Sequence, residues 1–128
     1  MTRVNLVPVK ELYDQHLLAE HREIKRIPNL IKQGKYNFVG QPKKYTLGSG
    51  HVKFFYDKME FLRLRYSELY DECLKRGFKV QNYGENFLGL AGEFYNNYFP
   101  DDEAIEISKA RLKEKYKPNF YKYYGKDV

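Results

Sequence analysis

Phe55, Met59, Leu62, Tyr66, Leu69 and Cys73 recur at steps of three and four residues, the spacing that stacks side chains on one face of an α-helix. The stripe predicts one long amphipathic helix over residues 51–76, with its apolar face turned to a core. Gly77 follows where a left-handed cap is expected, and Lys75 and Arg76 occupy the last turn, where cations suit the helix dipole. On this stripe Cys73 reads as a packing residue and not as a reactive thiol.

Two further helices are expected to cover that face. The first begins near Lys10 or Glu11 and sets Tyr13, Leu17, Ile24, Ile27 and Ile31 on one arc. Pro28 should kink or end it, because proline lacks a backbone donor and clashes with the preceding turn, leaving a short continuation to Gln33. The third begins at Asp101 or Asp102, which suit an N-cap, packs through Ile105, Ser108, Leu112 and Tyr116, and stops before Pro118. Residues 34–50 are punctuated by Gly34, Gly40, Pro42, Gly48 and Gly50 and read as loop. Residues 78–100 read as mostly irregular with one helical turn. The expected fold is all-α: a compact single domain over residues 1–128, three main helices, long loops, no substantial sheet and an aromatic-basic C-terminal tail.

At 128 residues and 42% hydrophobic the chain can build one core. A formal charge of +6 and a pI near 9.2 favour a polyanionic partner such as nucleic acid. Cys73 stands alone, which argues against a disulfide framework and a thiolate metal cluster. The N-terminus has no long apolar run, so the expectation is a soluble, intracellular protein with no membrane partner.

Chemistry concentrates on the first helix. His16, Ala19, Glu23 and Arg26 share an arc beside the packing face, with Arg22 at its edge. Flanking arginines favour a charged carboxylate, which suits a group that stabilises developing positive charge or moves a proton. The competing reading is an exposed face laced with intrahelical ion pairs. Glu20 falls within the packing arc, so a structural hydrogen bond is expected of it. The chain opens Met-Thr-Arg, and a small second residue favours loss of Met1, leaving the α-amine of Thr2 as terminus. Such an amine has an unperturbed pKa of about 8 against roughly 10.4 for lysine, and Arg3, Arg22 and Arg26 nearby would lower it further. A free amine attacks a sugar C1′ or an aldehyde to form an imine.

Other features keep two readings each. The tail from Tyr116 to Lys126 interleaves aromatic and basic residues, which can stack on bases and track phosphates or fold back on the helices. Lys122 and Tyr123 are its candidates for DNA contact. Gly48-Ser49-Gly50-His51 is either a phosphate-binding turn or a plain cap, and His51 lacks partners at metal-ligand spacing. Asp101-Asp102-Glu103 resembles an acidic nuclease cluster, but capping explains it more simply.

Met-Thr-Arg-Val-Asn-Leu, Asp14 to Leu17, Ala19 to Glu23 with Arg26, Leu47 to Val52 and Phe54 to Lys58 resemble the bacteriophage-type pyrimidine dimer DNA glycosylases, or endonuclease V enzymes. So do Glu60 to Arg63, Glu72 to Phe78, Ile107-Ser108, Ala110 to Leu112, Glu114-Lys115 and Tyr121 to Lys126; residues 27–46 and 79–100 align poorly. The resemblance implies a glycosylase that also cleaves abasic sites, with the Thr2 α-amine as nucleophile. It implies that Glu23 stabilises the sugar-like transition state and assists β-elimination. Arg22 and Arg26 match residues that hold DNA near the lesion, and His16 matches one beside the amine. Arg3, Arg111 and Lys115 match positions of phosphate or substrate contact.

No metal or organic cofactor is implied. The partner expected is double-stranded damaged DNA, bound by a monomer, with cyclobutane pyrimidine dimers as the lesion. Damage that weakens stacking lowers the cost of kinking the duplex and extruding a nucleotide. The chain departs from the family pattern in the short loop after the first helix, in Lys25 where the family has proline, and in Phe120 where it often has tryptophan. Rival readings are the same chemistry on another damaged base, a noncatalytic DNA-binding module and a metal-dependent nuclease.

Overall fold

A computed structural model of the chain describes residues 2–128. It contains α1 (Asp14–Glu23), α2 (Arg26–Lys32), α3 (His51–Phe54), α4 (Met59–Lys75) and α5 (Asp102–Glu114), with 3₁₀ turns at Val9–Glu11, Gly84–Phe87 and Gly92–Phe94. Among the described residues the only sheet is an antiparallel hairpin of β1 (Lys122–Tyr123) and β2 (Lys126–Asp127). The expected fold is the one found: α1, α4 and α5 are the three main helices and the rest is largely loop.

Helix α4 is the spine. Met59, Leu62, Tyr66, Leu69 and Cys73 are all buried, as is Phe55 just before it. Gly77 takes φ +86°, letting Phe78 donate its N–H to Cys73 O at 2.9 Å and Gly77 to Leu74 O at 3.0 Å. Those two bonds close the helix by satisfying its last carbonyls. Burial pushes the Cys73 thiol up to about 11, the environment of an inert core thiol. Helix α5 starts at its expected cap, where the Asp101 carboxylate accepts the Ala104 N–H at 2.8 Å.

Three boundaries differ from expectation, and at each a side chain takes a backbone carbonyl. The helix expected over 51–76 is interrupted at residues 55–58. There Gln41 Nε2 donates to Lys53 O and Phe54 O, and Lys58 Nζ donates to Phe54 O at 2.9 Å, so the Phe54 carbonyl needs no helical partner. The first α-helix begins at Asp14 and not at Lys10 or Glu11. The Arg76 guanidinium, its side chain wholly buried, captures the carbonyls of Val9, Lys10 and Leu12 and pairs with Asp14 at 3.0 Å. The break after α1 falls at Ile24–Lys25, one turn before Pro28. Residue 24 is where the proline ring would strike the carbonyl four positions back, and Lys25 Nζ closes the end of α1 by donating to Arg22 O at 2.6 Å.

On α5 the packing face is Ala104 and Ser108, with Ile105 and Leu112 half-buried. Tyr116 does not belong to that stripe: the helix ends before it, and its ring is 42% exposed beside Tyr13 and Tyr121. Residues 78–100 make two 3₁₀ turns where one was expected.

The segment that positions the site is neither helix nor strand. Val4, Asn5, Leu6 and Val7 are buried in irregular backbone. Asn5 donates to Glu20, which the Arg65 guanidinium grips through two bonds of 2.7 and 3.1 Å while also donating to Val7 O at 2.6 Å. Glu20 therefore plays the structural part expected of it.

Candidate active site

Helix α1, the N-terminal segment, α5 and the tail meet at a cleft of about 240 Å³. Helix α1 supplies His16, Ala19, Glu20 and Glu23, because these positions fall on its side adjoining the core face. The segment supplies Arg3 and Asn5; α5 and its end supply Arg111, Leu112 and Lys115; the tail supplies Tyr121. Five residues expected at the site, Arg3, His16, Glu23, Arg111 and Lys115, are thus brought together.

Thr2 is buried and lines an adjoining hollow of about 340 Å³ with Arg26, Asn29, Leu30 and Gln33. Consecutive residues, Thr2 and Arg3, therefore open into the two neighbouring spaces. Arg26, beyond the break at Ile24–Lys25, lines the hollow with Thr2 and not the Glu23 cleft. Arg22 stands on the rim, 58% exposed, with its guanidinium 3.4 Å from the Glu23 carboxylate. Loss of Met1 concerns a residue outside those described.

Positive charge dominates the cleft. Burial, and then the neighbouring Arg111 charge, hold both the Arg3 guanidinium and the His16 imidazole below their ordinary values. His16 is accordingly neutral at pH 7, its ring stacked on Tyr121 with centroids 4.6 Å apart. Its Nε2 is buried and makes no hydrogen bond among the described residues. Burial, and then Arg26 and Arg22, likewise lower Lys25, which sits 3.8 Å over the Tyr83 ring. Glu20 adds little negative charge, since Arg65 neutralises it. A concave, basic surface with a carboxylate at its centre suits an anionic chain that reacts at one sugar.

Lys122 and Tyr123 do not line this cleft. Lys122 pairs with Asp127 at 2.6 Å across the hairpin. Tyr123 donates its hydroxyl to Lys10 O at 2.7 Å and packs its ring 4.6 Å from the Arg76 guanidinium. The tail residue that reaches the cleft is Tyr121, which sequence reasoning missed. Its only signal was its place among other aromatic residues.

His51, expected only within a turn or cap, also holds the N-terminal segment. Its Nε2 accepts the Val4 N–H at 2.9 Å and its Nδ1 lies 2.8 Å from Thr46 O. An amide only donates and a carbonyl only accepts, so the proton belongs on Nδ1 and the ring is neutral. Gly50 precedes it with φ +96°, and a Cβ there would stand 2.9 Å from Pro42 Cγ, which fits a cap required by packing.

Burial lowers the His51 pKa to about 4, so the unfolded chain binds the proton more readily and protonation opposes folding. Its contribution of about 3 kcal/mol is complete above pH 6.5 and is lost as pH falls from 6.5 toward 4. His16 and His21 titrate with the same sign. Urea unfolding of His51→Gln against the wild type at pH 7 and 4.5 is expected to show a flatter pH dependence in the variant. Equal slopes would remove His51 from this role.

The fold and the cleft define a small helical protein that takes a polyanion against a carboxylate. Among the described residues no group of three or more His, Cys, Asp or Glu side chains is arranged to hold a metal ion, and no helix is long and apolar enough to cross a membrane. The chain belongs to the pyrimidine dimer DNA glycosylase family, whose model matches residues 1–85. It is therefore a DNA repair glycosylase acting at pyrimidine dimers, and DNA is its substrate. The matched region carries Thr2, Arg3, His16, Arg22, Glu23 and Arg26. Arg111, Lys115 and Tyr121 complete the cleft from beyond it.

Proposed function

We propose that this glycosylase is also an abasic-site lyase, and that the α-amine of Thr2, freed by loss of Met1, is its nucleophile. The amine nitrogen bonds to C1′ of the damaged nucleotide as the glycosidic bond breaks. The base leaves with the bonding electrons and takes up a proton. Expulsion of the ring oxygen from C1′ then gives an imine between Thr2 and the opened sugar. The imine acidifies the C2′ hydrogen. Removing that proton sends its electrons into a new C2′–C3′ double bond and expels the 3′ phosphate, which breaks the strand. Water hydrolyses the remaining imine and restores the amine.

Glu23 is assigned two roles, stabilising the positive sugar in the first stage and moving the C2′ proton in the second. Arg3, Arg22, Arg26, Arg111 and Lys115 are assigned to phosphates, with His16 beside the amine. The observation that carries the reading is the Glu23 carboxylate in a cleft entered by Arg3, the residue next to Thr2.

Borohydride added to the enzyme with an abasic-site duplex should trap a covalent complex, and strand cleavage should persist in chelator. Failure to trap, or cleavage abolished by chelator, overturns the imine in favour of a metal-dependent nuclease. Irradiated DNA should be cut in preference to oxidised DNA. Arg26→Gln should weaken binding to a damaged duplex and reduce the salt slope by about 0.9, the loss of one phosphate contact. Retained affinity with an unchanged slope would make Arg26 a plain surface charge.

A further inference from the structure

Between Thr2 and the core, the N-terminal segment is held by a chain of hydroxyl groups from other parts of the molecule. Leu6 N–H donates to Ser108 Oγ at 3.1 Å, Ser108 Oγ donates to Tyr45 Oη at 2.9 Å, and Tyr45 Oη donates to Val4 O at 2.8 Å. Each hydroxyl has one proton, so the chain runs in a single direction and every donor in it is used. Ser108 is wholly buried and Tyr45 is 4% exposed, so water has little access to these bonds. At the same residue, the Val4 N–H donates to His51 Nε2.

Both polar groups of Val4 are therefore fixed by side chains, two residues from Thr2. None of these partners lines the Glu23 cleft or the hollow beside Thr2. A buried irregular segment needs its polar groups satisfied, but scattered contacts would serve that need. Here His51 and Tyr45 hold the N–H and the C=O of one residue. Ser108 then links that grip to the helix that carries Arg111.

We propose that Tyr45, Ser108 and His51 are positioning residues for the reaction. They set the reach of the Thr2 amine into the cleft and tie it to α5, so the nucleophile and the phosphate-holding side chains keep one spacing. The proposal rests on the imine reading above. A displacement of about 1 Å at a reacting atom can cost on the order of a hundredfold in rate, whereas phosphate contacts far from Val4 should not register it.

The test is Tyr45→Phe, which removes the proton donated to Val4 O and keeps the ring. Single-turnover borohydride trapping on saturating abasic-site duplex gives the rate constant and the fraction of enzyme that reacts. A duplex carrying tetrahydrofuran, an abasic analogue unable to form an imine, gives binding alone. The expected result is a trapping rate constant lower by about ten- to a hundredfold, with the reactive fraction unchanged and the tetrahydrofuran Kd altered far less, since of the residues assigned to phosphate only Arg3 adjoins Val4. A purely structural role would lower the reactive fraction and leave the rate constant alone, and that result overturns the proposal. Ser108→Ala cuts the same chain at its other hydroxyl and decides the matter should Tyr45→Phe not fold. A wild-type adduct absent from the N-terminal peptide overturns the imine reading and this proposal together. An N-terminal adduct formed at the wild-type rate in a folded variant overturns the positioning role alone.

Discussion

Glu23→Gln is expected to lose strand cleavage by about 10²–10⁴-fold, the usual contribution of a positioned proton-transfer group, while still binding damaged duplex. Glutamine keeps the shape and the hydrogen-bonding capacity of the side chain but not its charge or basicity. The carboxylate is largely enclosed, 15% exposed in a cleft shared with Arg3, Arg111 and Lys115. Removing the one cleft carboxylate that Arg65 does not neutralise leaves the surroundings more positive, so affinity for phosphates should hold or rise slightly. Single-turnover cleavage and a binding titration on the same irradiated duplex check the two halves separately. Cleavage kept within a few-fold of wild type would remove Glu23 from the mechanism.

The largest stability effect is expected at Glu20. Its carboxylate is fully buried against Arg65 and also accepts from Asn5. Glu20→Ala leaves the Arg65 guanidinium, 6% exposed, with Val7 O as the acceptor that remains. Breaking a buried pair from one side costs about 3–5 kcal/mol, a large part of the 5–15 kcal/mol typical of a small domain. Urea unfolding should show that loss. The double variant Glu20→Leu with Arg65→Met should recover much of it, because no buried charge is then left alone. A loss below about 1 kcal/mol in the single variant would mean that the pair is reached by water.

Much of the scaffold was legible because its signals are local. The apolar stripe repeats over six residues that all prove buried, and Gly77 and Asp101 act at the helix ends they were read for. Where the reading missed, the deciding partner was far away in sequence. Gln41 helps end a helix at residues 53–54 that periodicity alone would continue. Arg76 takes the carbonyls of Val9, Lys10 and Leu12, and residues 9–11 form a 3₁₀ turn in place of the start of α1. Arg65 and Glu72 interrupt the apolar pattern of α4 and are nonetheless buried, because Glu20 and Arg76 meet them there.

The cleft followed the same rule. His16 and Glu23 share a helical face, and Arg111 and Lys115 lie four apart, so their spacing already grouped them. The N-terminal clamp through His51, Tyr45 and Ser108 had no spacing to reveal it, since its hydrogen-bonded pairs are 41 to 102 residues apart. Aromatic and basic residues alternate in the tail, but the hairpin turns Lys122 toward Asp127 and the fold turns Tyr121 inward. Composition could not distinguish them.

The central claim is that the chain's own amine, at Thr2, becomes bonded to deoxyribose. The most direct measurement is mass spectrometry of active enzyme and of its borohydride-trapped abasic-site complex after nuclease and protease digestion. The expected result is mature protein beginning at Thr2 and a sugar remnant on the N-terminal peptide, at the α-nitrogen. Full activity from protein that retains Met1, or a remnant on a lysine side chain instead, would contradict it.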